Sequence, residues 1–121
     1  MAIIDSGKLD ELRELLAPEG EGAFERFLAV YLSSSERAVS DLRAAVAGAD
    51  GAEVERRAHA LKGSAGNVGA GRFADACRRL EESARQGRND WDFAAAEEEY
   101  ARVRAFLEPL ARTARPQEAG R

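Results

Sequence analysis

An all-α fold is what this chain predicts, and three observations carry that prediction. Alanine is its commonest residue, with leucine, glutamate and arginine abundant and β-branched residues scarce, a composition that favours helix over strand. Apolar residues recur every three or four positions in each segment, and no segment alternates apolar and polar with period two. At 121 residues the chain is long enough for one domain with a single core that needs neither disulfides nor metal.

The first helix is short. Asp5 or Ser6 can cap it, and Leu9, Leu12, Leu15 and Leu16 form its stripe before Pro18, Gly20 and Gly22 interrupt it. The second runs from about residue 21 to 49, a rod of about 40 Å, with Phe24, Phe27, Leu28, Tyr31, Ala38, Leu42, Ala45 and Ala49 on one stripe. Ser33, Ser34 and Ser35 form an expected weak spot at its middle, because serine hydroxyls compete for backbone groups. The third opens on Asp50, with Glu53 three residues on as in a capping box, and carries Val54, Ala58, Leu61, Ala65 and Val68. It is expected to end near Asn67, where Val68-Gly69-Ala70-Gly71 reads as a turn. The fourth places Phe73, Cys77, Leu80 and Ala84 on its stripe and fades at Gln86-Gly87-Arg88. The fifth is expected to start at Asn89 or Asp90, with Phe93, Tyr100, Val103, Leu107 and Leu110 as its stripe and Pro109 kinking or ending it. Four long amphipathic segments with short connections imply an up-down-up-down four-helix bundle, and the short N-terminal helix precedes it and caps one end. The domain is expected to span residues 1–113, with 114–121 a frayed, polar C-terminal tail.

Composition also excludes. The net charge of -4 argues against a basic nucleic-acid binder. One Cys and one His allow no internal disulfide and no His/Cys zinc site, so no metal site and no cofactor is expected on this chain. There is no signal peptide pattern and no apolar run of membrane-spanning length, which leads to a cytoplasmic expectation. A monomer is expected, and the Met1 start and polar tail lean toward a free-standing protein. No phosphate-binding glycine loop or kinase-like segment is present, so use of ATP is not expected.

The third helix breaks its own pattern at His59-Ala60-Leu61-Lys62-Gly63-Ser64-Ala65-Gly66. Glycine costs roughly 1 kcal/mol against alanine inside a helix, yet Gly63 and Gly66 stand four and seven residues after the chain's only histidine. Helical periodicity places them, with Lys62, on the face of His59 and away from the apolar stripe. That face carries an imidazole, an ammonium and two bare backbone patches. Imidazole is a good nucleophile near neutral pH, and an ammonium can partly neutralise a phosphoryl group carried on it. The glycines leave room for a second macromolecule to bring its reactive group close.

The run from His59 to Ala70 resembles the signature of the histidine-containing phosphotransfer (HPt) family, roughly H-x-L-K-G-S-A-x-x-x-G-A. The resemblance implies a phosphorelay intermediate that accepts a phosphoryl group on His59 from a receiver-domain aspartate and passes it to another receiver domain. It implies a phosphocarrier rather than an enzyme, with receiver domains of response regulators or hybrid sensor kinases as partners and the divalent metal on the partner. By this resemblance His59 is the phospho-accepting residue, Lys62 neighbours the phosphoryl group, and Gly63 is the small residue that lets the receiver approach. Glu81, on the next helix, matches a position where the family often has Gln or Glu bonded to the imidazole; a carboxylate on Nδ1 would leave Nε2 as the nucleophile. Arg78 and Arg85 flank Glu81 at i−3 and i+4 and are further candidates to support a phosphoryl group or meet an acidic receiver surface. Two rival readings remain: a helical module that docks on a receiver or kinase without carrying phosphate, and an enzyme with His59 as general base. The second is disfavoured because no other nucleophile or base is expected on the His59 face.

Overall fold

The computed structural model describes residues 2–112, so Thr113 and the tail 114–121 lie outside the described residues. Helix α1 spans Ser6–Leu16 and runs into a single 3-10 turn at Ala17–Glu19; α2 spans Ala23–Ala47, α3 Gly51–Asn67, α4 Gly71–Arg85 and α5 Phe93–Ala111. No strand occurs among the described residues. The four long helices close a ring in which α2 packs on α3 and α5, and α4 packs on α3 and α5. This is the expected up-down-up-down four-helix bundle with a short preceding helix.

The core follows the predicted stripes. Leu28, Leu42, Val54, Leu61, Phe73, Cys77, Leu80, Val103 and Leu107 are fully buried. Burying a side chain of this kind contributes about 1.5–3 kcal/mol, which is why these stripes, more than intrinsic propensity, hold the helices. Burial pushes the Cys77 thiol up to about 12, with the Glu81 charge adding to the shift, so it stays a neutral core group.

Caps set the registers. Asp5 accepts from the Gly7 and Lys8 amides, and Asp50 accepts from the Glu53 amide at 3.2 Å. The reciprocal arm of the expected capping box is absent, because the Glu53 carboxylate turns to Arg56 and Arg57. The α1 start is tied to the α3–α4 turn by the Asp5 amide donating to the Gly69 carbonyl at 2.9 Å. Gly69 sits at φ +76, and a Cβ there would stand 3.0 Å from the Asp5 carbonyl oxygen and 2.8 Å from Lys8 Cβ, so this junction needs glycine.

Four local expectations are corrected. Leu15 points to solvent at 74 % exposure, since α1 presents only a narrow face to the bundle, that of Leu9 and Leu12. The serine run does not weaken α2: Ser35 faces inward and bonds Tyr100 Oη at 2.8 Å, while Ser34 and Ser35 donate back to the carbonyls of Tyr31 and Leu32. Ala49 lies beyond α2 at φ 53 and is exposed. The end of α3 at Asn67 is as expected, and Val68, in the turn beyond it, is fully buried with the stripe. Helix α5 starts at Phe93 with Asp92 as its cap, because Asp90 Oδ1 is already taken by Ser83 Oγ at 2.6 Å and by Arg88. Pro109 sits two residues before the end of α5, where the Ala105 carbonyl, which receives no bond from Pro109, is on an exposed residue.

Candidate functional site

The site forms where α3 and α4 run side by side. On α3, Val54, Ala58, Leu61 and Ala65 face the core. The same periodicity turns His59 outward, one residue past Ala58, with its side chain 67 % exposed. On α4, Phe73, Cys77 and Leu80 face the core, and Glu81 follows Leu80 at the rim of that stripe. Its carboxylate is only 5 % exposed, so a charge is held at the seam between the two helices.

Four groups converge there. Glu81 Oε2 lies 2.7 Å from His59 Nδ1 and 2.7 Å from Arg85 Nη2, and Glu81 Oε1 lies 2.8 Å from Lys62 Nζ. Burial is the largest single influence on Glu81 and pushes its carboxyl upward. The hydrogen bonds and charges of Lys62 and His59 together outweigh it and hold the carboxyl below the usual glutamate value of 4.5. Glu81 is therefore ionised near neutral pH and acts only as an acceptor. That assigns the donor role to Nδ1–H and leaves Nε2 of the neutral ring with its lone pair on the solvent side.

The glycines match their expected face. Among the described residues nothing stands within 4 Å of a Cβ built at Gly63 or at Gly66, so neither is needed for packing there. One turn and two turns beyond His59, they leave α3 flat on the exposed side. In the other direction an open groove of about 470 Å³ runs past the imidazole, lined by Ala52, Glu55, Arg56, His59, Glu81 and Arg85. The groove is open rather than a deep cleft, in keeping with a macromolecular rather than a small-molecule reactant.

Of the sequence candidates, His59, Lys62, Glu81 and Arg85 are brought together, with Gly63 and Gly66 on the open flank. Arg78 is not. Its guanidinium pairs with Asp75 at 2.9 Å and Glu82 at 3.4 Å along α4, while Lys62 occupies the Glu81 oxygen on the other side from Arg85. Glu55 is the residue that sequence reasoning overlooks. It lies four residues before His59, and its Oε2 accepts from Arg85 Nε at 3.2 Å. The expectation that no other base lies on the His59 face is corrected by this carboxylate. The i, i+4 spacing from Glu55 to His59 is the signal that could have found it.

The comparisons agree with this geometry. Residues 26–113 match the model of the Hpt domain. The crystal structure of histidine-containing phosphotransfer protein B from Pseudomonas aeruginosa PAO1 is similar in fold, with a TM-score of 0.83 and 30 % identity, covering 93 % of this chain and 97 % of that one. No curated protein sequence matches. A matched family model over most of the chain, on a bundle of the same fold that holds its one histidine outward, places the protein in the family of Hpt domains, the histidine phosphotransfer modules of phosphorelays.

Proposed function

We propose that this chain carries its phosphoryl group on Nε2 of His59, taking it from the aspartyl phosphate of one receiver domain and giving it to the aspartate of another. Hpt proteins are phosphocarriers rather than kinases and interact with receiver domains. The observation that carries the residue assignment is the 2.7 Å contact from Nδ1 to an ionised, buried Glu81. That contact fixes the tautomer with a free Nε2 and orients the ring outward.

The step balances without any proton transfer. The Nε2 lone pair attacks phosphorus, the P–N bond forms, the acyl P–O bond breaks, and the receiver carboxylate leaves with the electron pair. Nδ1 keeps its proton, so the ring becomes cationic, and the Glu81 carboxylate offsets that charge. Onward transfer reverses the roles: the second receiver's carboxylate attacks, and a neutral imidazole leaves. Lys62 and Arg85 lie close enough to Nδ1's partner to turn toward a phosphoryl group on the ring. Gly63 and Gly66 form the flat approach for the receiver, which supplies both its aspartate and the divalent cation. Cytoplasmic action fits this role, and among the described residues no helix is long and apolar enough to cross a membrane.

The reading is tested by mixing the protein with phosphorylated receiver domains of its own organism. The expected result is loss of receiver label and its appearance on this chain in acid-labile, base-stable form. Binding to a receiver with no label on this chain would favour the docking module instead.

A further inference from the structure

The groove beside His59 contains one interaction that the phosphotransfer reading does not use. Arg85 lies between two carboxylates: its Nη2 is 2.7 Å from Glu81 Oε2, and its Nε is 3.2 Å from Glu55 Oε2. Glu55 sits one turn before His59 on the same face of α3. Its side chain is 39 % exposed and that of Arg85 is 52 % exposed, so this pair is exchangeable, whereas Glu81 at 5 % is fixed in the seam. In the resting site the charges of Glu55, Glu81, Lys62 and Arg85 cancel. A phosphoryl dianion on a cationic ring adds one net negative charge beside that balanced set. Of the two cations on Glu81, Arg85 is the one whose other contact is to an exposed, exchangeable carboxylate, Glu55.

Resting on the assignment of the phosphoryl group to His59, we propose that Glu55 is a positioning residue that occupies Arg85 until His59 is phosphorylated, and so sets how long the phosphoryl group stays on the ring. Arg85 leaves Glu55 for the phosphoryl oxygens and keeps its contact with Glu81. A guanidinium suits this exchange, because its planar fork bonds carboxylate and phosphoryl oxygens with the same geometry.

The consequence is a lifetime. In hydrolysis a water oxygen attacks phosphorus, the P–N pair returns to Nε2, and both water protons leave with the group as dihydrogen phosphate. The transition state is loose and metaphosphate-like, so as the P–N pair returns to nitrogen the three oxygens carry less total charge than in the phosphorylated ground state. A cation on those oxygens therefore stabilises the phosphorylated state more than the transition state and slows loss. Glu55 competes for that cation and shortens the lifetime.

The test is a double-mutant cycle on the full chain, phosphorylated with phosphoramidate and followed by the decay of the phosphorylated form. Glu55→Gln should lengthen the half-life by about two- to fivefold, the range expected for an exposed ion pair. Arg85→Ala should shorten it, and Glu55→Gln added to Arg85→Ala should change nothing further. Thermal melts should show all three variants folded, so that a structural effect does not mimic the cycle. An unchanged half-life in Glu55→Gln overturns the proposal. So does an equal lengthening with and without Arg85, which would mean that Glu55 acts by simple repulsion. Failure of the wild type to take phosphate on His59 would instead overturn the functional reading beneath it.

Discussion

Two helix seams in this bundle each hold a polar contact, and they do so in opposite ways. Between α2 and α5, Ser35 and Tyr100 share a hydrogen bond of 2.8 Å with both residues buried. Both hydroxyls are neutral; the Leu32 carbonyl takes the second Ser35 contact, and Tyr100 Oη also reaches the Glu36 carboxylate at 3.4 Å. Between α3 and α4, the buried group is the Glu81 carboxylate, and its partners His59, Lys62 and Arg85 all reach it from the exposed side. A neutral bond closed inside a core contributes stability and has nothing to exchange. A buried charge held by solvent-side partners is ionised and able to keep one partner while another leaves. On the proposed function one seam serves structure and the other chemistry, and the difference lies in where the partners stand.

The largest effect that would sharpen this contrast comes from the open flank of α3. Gly63→Gln should reduce transfer to and from receiver domains by on the order of a hundredfold, because a side chain in the approach path displaces the reacting groups. Phosphorylation by phosphoramidate, a donor small enough to pass the new side chain, should be unchanged. The bundle should gain about 0.5 kcal/mol in urea unfolding, since glycine is the poorer helix former and nothing crowds the added side chain. Normal receiver transfer in this variant would remove Gly63 from the docking face.

Next in size is Glu81. Glu81→Ala should slow phosphotransfer by about tenfold or more, the loss of a charge-assisted bond to the ring. Glu81→Gln, whose amide oxygen still accepts from Nδ1–H, should lose only about threefold. Acid should separate the charge from the shape. The folded carboxyl titrates below 4.5, so its contribution to stability is complete above that value and is lost as the pH falls through the lower folded pKa. The stability difference between wild type and Glu81→Gln, measured by urea midpoints, should therefore shrink below pH 4.5. A loss of stability with transfer intact would make the α3–α4 seam structural like the other.

The smallest effect belongs to the closed seam. Tyr100→Phe removes the hydroxyl from Ser35 and should cost about 1 kcal/mol of stability, with phosphotransfer unchanged. A change in transfer rate there would break the division between the seams.

How much of this was legible in the residues differs by element. The outward face of His59, Lys62, Gly63 and Gly66 was legible, because a three- to four-residue period places them opposite Ala58, Leu61 and Ala65 whatever the tertiary packing. Glu81 came only through resemblance, since nothing in α4 alone says that a glutamate beside Leu80 is to be buried against another helix. Arg78 and Arg85 look equivalent by spacing. The neighbouring helix separates them, by placing Glu55 beside Arg85 and Lys62 on the other Glu81 oxygen. Ser35 was misread for a similar reason: local propensity marks a serine run as weak, and only the partner Tyr100, sixty-five residues away, turns it into a contact. The start of α5 was set by competition between caps, with Ser83 claiming Asp90 and leaving the role to Asp92.

In the proposed function Glu81 holds Nδ1 so that Nε2 carries the phosphoryl group. Long-range proton–nitrogen NMR of the 15N-labelled, phosphorylated protein tests it most directly, because His59 is the chain's only histidine and the spectrum contains one imidazole. The predicted result is coupling of phosphorus to Nε2, with Nδ1 still protonated. Phosphorus on Nδ1, or a phosphorylated chain whose imidazole resonances are unchanged, would contradict the account.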